Sequence, residues 1–288
     1  MNRVKFLFCL LLFIFLFACE EEEDVPQPKG NPTLTLNSLI GVDSLIRVHL
    51  SESTGNTMDT KNINNATITI AKNNKEITQL NYLKDGIYEL SDSYLEANAT
   101  YKISVTHSDY DDLQAETKTP EKIVIDQITQ FNNSNDGKTT FHLNFKDNNT
   151  MDNYYMLLVK GKSYGTSTIV PYYSDDLVFE GNLAVNATDF EQNMLRGSRS
   201  FSDENFNDSQ IEISFYLLND EINREISEFR IELYHLTEDY YNYERSYVSI
   251  ENRDDLPFYN KTNLYSNIEG AFGIFTSYAV DYSILPRQ

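Results

Sequence analysis

The chain has 288 residues, enough for one large or two ordinary domains, and its 40% apolar content is too high for wholesale disorder. With 44 acidic against 23 basic side chains the net charge is −21, which excludes nucleic-acid binding through clustered Lys and Arg and docking on anionic lipid through a polybasic patch. Trp is absent, so aromatic packing falls to 20 Tyr and 17 Phe. The first element is an unbroken apolar run from Phe6 to Phe17, preceded by Arg3 and Lys5 and followed by Ala18-Cys19. Positive charge, apolar run and small residue together predict a secretory signal over residues 1–18. As a helix the run reaches only ~18 Å, too short for a ~30 Å hydrocarbon core.

Leu16-Phe17-Ala18-Cys19 resembles the bacterial lipobox, in which the Cys becomes the new N-terminus and is acylated with chains such as palmitate. The alternative is an ordinary cleavage site beside a buried Cys. Cutting before Cys19 removes Arg3, Lys5 and Cys9, takes the net charge to −23 and leaves Cys19 as the sole thiol, so an internal disulfide is excluded. Several acyl chains, at ~0.8 kcal/mol per buried CH₂, make a stable anchor. Glu20, Glu21, Glu22, Glu23 and Asp24 form a self-repelling, solvated spacer. Their position directly after the Cys also resembles the Bacteroidota signal that sends lipoproteins to the outer face of the outer membrane. Pro26 and Pro28 stiffen the rest of the 19–30 tether, whose neighbourhood, residues 20–31, spans up to ~40 Å when extended.

From Asn31 onward, short apolar alternations separated by turn residues take over. Ala66, Ile68 and Ile70 share a face, as do Tyr101, Ile103 and Val105; between them Asp85-Gly86 precedes the strand Ile87–Leu90. This spacing predicts an immunoglobulin-like or prealbumin-like β-sandwich of about seven strands over residues 31–119. Residues 120–288 continue as a second antiparallel β domain. Asp136-Gly137 leads into Phe141–Phe145; the nearly continuous apolar run Tyr154–Val159 reads as a strand covered on both faces. Ile211, Ile213 and Phe215 alternate with polar residues, as do Phe229, Ile231 and Leu233. One helix is expected near 237–251, with Thr237 as cap, Glu238 and Asp239 at its positive end, and a stripe of Tyr240, Tyr243, Tyr247 and Ile250 widened by Tyr241 and Val248. That stripe either packs on the sheet or forms a tyrosine platform for a ligand. In the last strand Phe272, Ile274, Tyr278, Val280, Tyr282 and Ile284 share one parity, with a bend expected near its glycines.

The sequence offers little catalytic chemistry. His49, His107, His142 and His235 are widely spaced and lack the i, i+4 zinc pairing. Hard cations need only oxygen ligands, and Asp109–Asp112, Asp147–Asp152 and Ser174–Asp176 are oxygen-rich loops, none matching the twelve-residue calcium loop. Solvated loops are the simpler reading; Asp147 and Asp152 are the calcium candidates to test first. No Gly-x-Ser-x-Gly elbow occurs, and no cofactor is expected.

The layout resembles the domain-of-unknown-function 4249 family of Bacteroidota lipoproteins. The resemblance rests on Leu16–Glu22, Lys118-Thr119-Pro120, Asp239–Tyr243, Asn263–Gly270 and Gly273-Ile274-Phe275, with Gly270-Ala271 where the family shows a doubled Gly. Members are often encoded beside TonB-dependent outer-membrane receptors. The resemblance therefore implies a surface-exposed, non-enzymatic accessory subunit of such a nutrient receptor, anchored in the outer membrane by lipid; it carries over no ligand-binding residues. The rival expectations are an adhesion or envelope-structural protein and a hydrolase using loop carboxylates.

Overall fold

The computed structural model describes residues 32–53, 61–75, 77–133, 136–148, 150–179, 198–204, 210–251 and 264–287. Residues 32–118 supply nine strands: β1 (Thr33–Gly41), β2 (Leu45–Ser53), β3 (Lys61–Asn62), β4 (Thr67–Lys72), β5 (Ile77–Gln79), β6 (Asn81–Lys84), β7 (Ile87–Tyr94), β8 (Thr100–His107) and β9 (Tyr110–Lys118). About seven were expected. The surplus comes from β3, β5 and β6, short strands with every residue exposed, which therefore carry no buried alternation for the sequence to display. A sheet in the order β5-β4-β8-β9 closes over β1, β2 and β7. Leu34, Leu36, Val48, Leu50 and Tyr88 meet Ile68, Ile70, Ile103, Val105 and Leu113 in one core. The β6–β7 turn places Asp85 and Gly86 at φ 49° and 76°, the left-handed pair that a two-residue hairpin demands.

The remainder contains β10 (Ile125–Asn133), β11 (Lys138–Phe145), β12 (Tyr154–Ser163), β13 (Thr166–Ile169), β14 (Ser198–Ser202), β15 (Ile211–Leu218), β16 (Glu228–Leu236), helix α1 (Glu238–Glu251) and β17 (Phe272–Pro286). The three-stranded sheet β10-β11-β15 packs on β12 and β16. Phe141 stacks on Phe215 and meets Phe229 edge-on across the second core, while Phe145 meets Tyr155 in the same way. Among the described residues the protein is thus mainly β, with an N-terminal sandwich, a second antiparallel part and one α-helix, as expected.

The two sandwiches share a ten-stranded sheet whose main path is β13-β12-β16-β17-β1-β2-β7-β6. Its centre is β17. The first half of β17, Phe272–Tyr278, runs parallel to Thr35–Gly41 of β1, and the second half, Tyr278–Pro286, runs antiparallel to β16. Ile268 and Phe275 therefore belong to the first core although they lie near the far end of the chain. The expected junction at 119/120 falls between β9 and β10.

Where one edge of β17 has no partner strand among the described residues, the Asn267 side chain substitutes for one. Its Oδ1 accepts from Phe275 N at 2.9 Å and its Nδ2 donates to Phe275 O at 2.9 Å. Gly273 is required at the start of the parallel pairing: φ is +111°, and a Cβ there would lie 2.0 Å from the Leu36 carbonyl oxygen. Gly273→Ala is therefore expected to lose the β1–β17 pairing, seen as a fall in thermal midpoint and faster amide exchange at Leu36–Gly41. Gly137→Ala, in open space but also at positive φ, should cost only about 1 kcal/mol.

Candidate functional site

β16 turns Phe229, Ile231 and Leu233 into the second core, so Arg230, Glu232 and Tyr234 occupy the outer face of the large sheet. Glu232 organises that face. Its side chain is only 3% exposed, and Lys160 Nζ on β12 lies 2.9 Å from Oε2 while Arg230 Nε lies 2.7 Å from Oε1. The Tyr234 hydroxyl donates to Oε2 at 2.6 Å. Burial, then this bond and the carboxylate charge, push the Tyr234 phenol well above its ordinary value, so it stays a donor. The Arg230 guanidinium lies 3.6 Å from the centroid of the Tyr282 ring on β17. Lys160, Ser167, Thr168, Ile169, Arg230 and Glu232 line a shallow depression of about 290 Å³. Val280, Tyr282, Ile284 and Ile169 are exposed around this charge network. The face therefore presents exposed apolar and aromatic area beside a fixed set of charges, two cations on the one carboxylate of Glu232, a composition suited to binding.

Helix α1 covers the adjoining part of the same face. Thr237 Oγ1 accepts from Tyr240 N at 3.1 Å, the expected cap, and the Thr237 hydroxyl also pairs with that of Thr276 on β17. Tyr240 and Tyr241 bury against Met156 and Leu236, with Tyr154, Tyr234 and Tyr278 packed around them. Ring centroids are 4.8 Å apart for Tyr154–Tyr241 and 5.8 Å for Tyr240–Tyr278. The first turns of the helix are thus a packing surface, while Tyr247 and Val248 further along are exposed. The Tyr265 hydroxyl donates to Asp239 Oδ1 at 2.5 Å, and burial followed by that bond pushes its pKa up to about 12.

Cys19, Glu20, Glu21, Glu22 and Glu23 lie outside the described residues. The two calcium candidates separate: Asp152 is exposed, whereas Asp147 is buried at the end of β11. Asp147 Oδ1 accepts from the buried Tyr155 hydroxyl. Burial raises the pKa of Asp147, and the charges of Asp203 and Glu121 push it further. Asp203, distant in sequence, was not legible as a neighbour of this loop. Asp176 is spent on backbone ties, accepting from Val178 N and Ser214 N. Asp109 and Asp111 line a second, polar cleft of about 410 Å³ with Pro32, Thr33, Tyr110 and Gly270.

The four histidines occupy separate places, facing Asn62, Asn65, Glu212 and the Glu121 carbonyl. Among the described residues no three His, Cys, Asp or Glu converge as a metal cluster. Sequence reasoning missed the outer-face network. Its only trace was the polar register Arg230, Glu232 within the β16 alternation.

Fold and surface together define a two-sandwich β protein joined by one shared sheet, with a helix-bordered outer face. The chain belongs to the family described as "Domain of unknown function (DUF4249)", whose model matches residues 20–283. No curated protein matches it. Among solved structures it is similar to the FN1–FN3 domains of chicken CNTN1, at 10% identity and TM-score 0.27, over 72% of this chain and 62% of that one. It thus spans somewhat under two thirds of that structure. A putative carbohydrate binding protein from Bacteroides uniformis aligns at 10% identity and TM-score 0.23, covering 90% of this chain and all of that one.

Removing the charge of Glu232 leaves Lys160 and Arg230 without their counter-ion. Glu232→Gln should lower stability by about 1–3 kcal/mol, read as a shifted urea midpoint at unchanged m. Asp147 carries the opposite sign of pH dependence from an ion-paired carboxylate, because its folded-state pKa lies above the 3.8 of the unfolded group. Below about pH 4 it is protonated in both states; above that the unfolded chain ionises first and stability is lost until the native pKa is passed. With chelator present, the urea midpoint of the wild type should fall more steeply than that of Asp147→Asn as the pH rises above about 4.

Proposed function

We propose that the protein is a lipid-anchored outer-membrane protein facing the cell exterior, acting as a non-enzymatic accessory subunit of a TonB-dependent nutrient receptor. The observation that carries this reading is the run from Phe6 to Asp24: an apolar leader, Cys19 in a lipobox-like setting and the acidic stretch directly behind it. Membership of the family matched over residues 20–283 supports it. The acidic, Pro-containing run of residues 20–30 lies between Cys19 and the start of β1 at Thr33, which is the place a tether would occupy. Tyr282, Val280, Ile284 and Ile169 on the outer sheet face supply the contact area, since exposed aromatic and aliphatic side chains are what interface cores use.

Two measurements test this. Cys19→Ala should move the protein from the membrane to the soluble fraction, and protease added to intact cells should degrade the wild-type chain. A tagged full-length chain, purified from detergent-solubilised membranes, should bring down a barrel receptor, and Tyr282→Ala should weaken that capture. A chain that stays acyl-free, or that never retains a barrel protein, removes the accessory-subunit reading.

A further inference from the structure

At one end of the second sandwich, β11 runs out at Phe145 and β12 begins at Tyr154, so Asp147 and Asn153 continue the inward-facing parity of both strands. Both are buried, with 8% and 1% of their surface exposed, and Asp203, just beyond β14, is 3% exposed. Asn153 holds the three segments together. Its Nδ2 donates to the carbonyls of Asn148 and Met151 at 2.8 Å each and to Asp203 Oδ2 at 3.0 Å, while Asp203 N donates to Asn153 O at 3.1 Å. These bonds fix which end of the amide is oxygen. They leave Asn153 Oδ1 buried without a donor, and Asp147 Oδ2 is in the same condition.

Charge is the second anomaly. None of the ion pairs among the described residues includes Asp147 or Asp203. His235, stacked on Tyr155 at 5.3 Å, offers no compensation: its Nδ1 faces the Glu121 carbonyl, to which it donates, and burial favours the neutral ring. Two buried carboxylates without a counter-charge are strongly destabilising unless something neutralises them. A proton on Asp147 neutralises one of the two. A water satisfies oxygen lone pairs and neutralises neither. A divalent cation does both.

We infer that Asp147, Asn153 and Asp203 form a site for a hard divalent cation of the Ca²⁺ type, closing the β11–β12 loop onto the end of β14. The donor set is all oxygen: two carboxylates and the Asn153 amide oxygen, with water completing the shell. A third acidic residue is unnecessary, since calcium accepts amide and water oxygens, and its loose coordination suits a loop better than the strict octahedron of Mg²⁺. Two carboxylates place the site in the weak class, with Kd about 0.1–1 mM. The assignment does not depend on where the protein resides.

The full-length chain in detergent, stripped with chelator, should take up one Ca²⁺ by titration calorimetry and bind Mg²⁺ at least tenfold more weakly. At a hundredfold excess over Kd, Ca²⁺ should raise the melting temperature by roughly 5–10 °C. Asp203→Asn should weaken Ca²⁺ binding at least tenfold; Asp152→Asn, on the exposed part of the loop, should leave it unchanged. Should Asp203→Asn fold poorly, Tb³⁺ luminescence excited through tyrosine supplies a second readout, and it should drop in Tyr155→Phe. Absence of Ca²⁺ uptake at about 10 mM, or uptake undiminished in Asp203→Asn, overturns the site and leaves Asp147 held by a proton.

Discussion

The architecture depends on β17 being shared. A single strand of fifteen residues gives one stretch of main-chain hydrogen bonds to the first sandwich and the next stretch to the second, so neither sandwich has a complete sheet without it. The joint is rigid because it is covalent along the strand and hydrogen-bonded across it, unlike a linker between independent domains. Local details serve this junction. Gly273 admits the Leu36 carbonyl where any side chain would collide with it, and Asn267 satisfies the main chain of Phe275 where no neighbouring strand occurs among the described residues. Thr237 ties the helix N-terminus to Thr276 on the same strand, which fixes α1 over the boundary.

The polar groups in the second sandwich divide into two regimes. On the outer face, Glu232 is buried but answered by Lys160, Arg230 and Tyr234, so its charge is neutralised within the fold. At the sandwich end, Asp147 and Asp203 are also buried, and neither has a cationic partner among the described residues. The same low-dielectric surroundings strengthen the first arrangement and penalise the second. That contrast, rather than the number of acidic residues in a chain of net charge −21, separates a structural ion network from a place where a ligand changes the energetics.

Much of this was legible in the sequence because period-2 alternation follows directly from the pleat. The strands around Ile68, Ile103, Phe141, Ile213 and Ile231 lie where their alternation places them, and Thr237 caps the helix as its hydroxyl suggests. Alternation does not say which parity faces the core. In the second half of β17 the apolar parity, Val280, Tyr282 and Ile284, is the exposed one, while Ala279 is buried and Asp281 turns to accept the Ile125 amide. The strand spends its outer parity on the helix near Tyr278 and on the exposed face beyond it, a division set by tertiary partners. The acidic loop shows the same limit. Asp147 and Asp152 are close in sequence, yet the fold buries one, exposes the other and brings in Asp203 from beyond β14.

Parallel pairing of Thr35 with Phe272 also sets a timetable. At ordinary synthesis rates of about 5–20 residues per second, β1 emerges roughly ten to fifty seconds before the strand that completes its edge. Throughout that interval β1 offers bare amides and carbonyls to any extended segment it meets, and contacts this remote in sequence close slowly. The shared strand that makes the finished molecule rigid therefore makes its nascent form dependent on being kept apart from other chains until the last strand arrives.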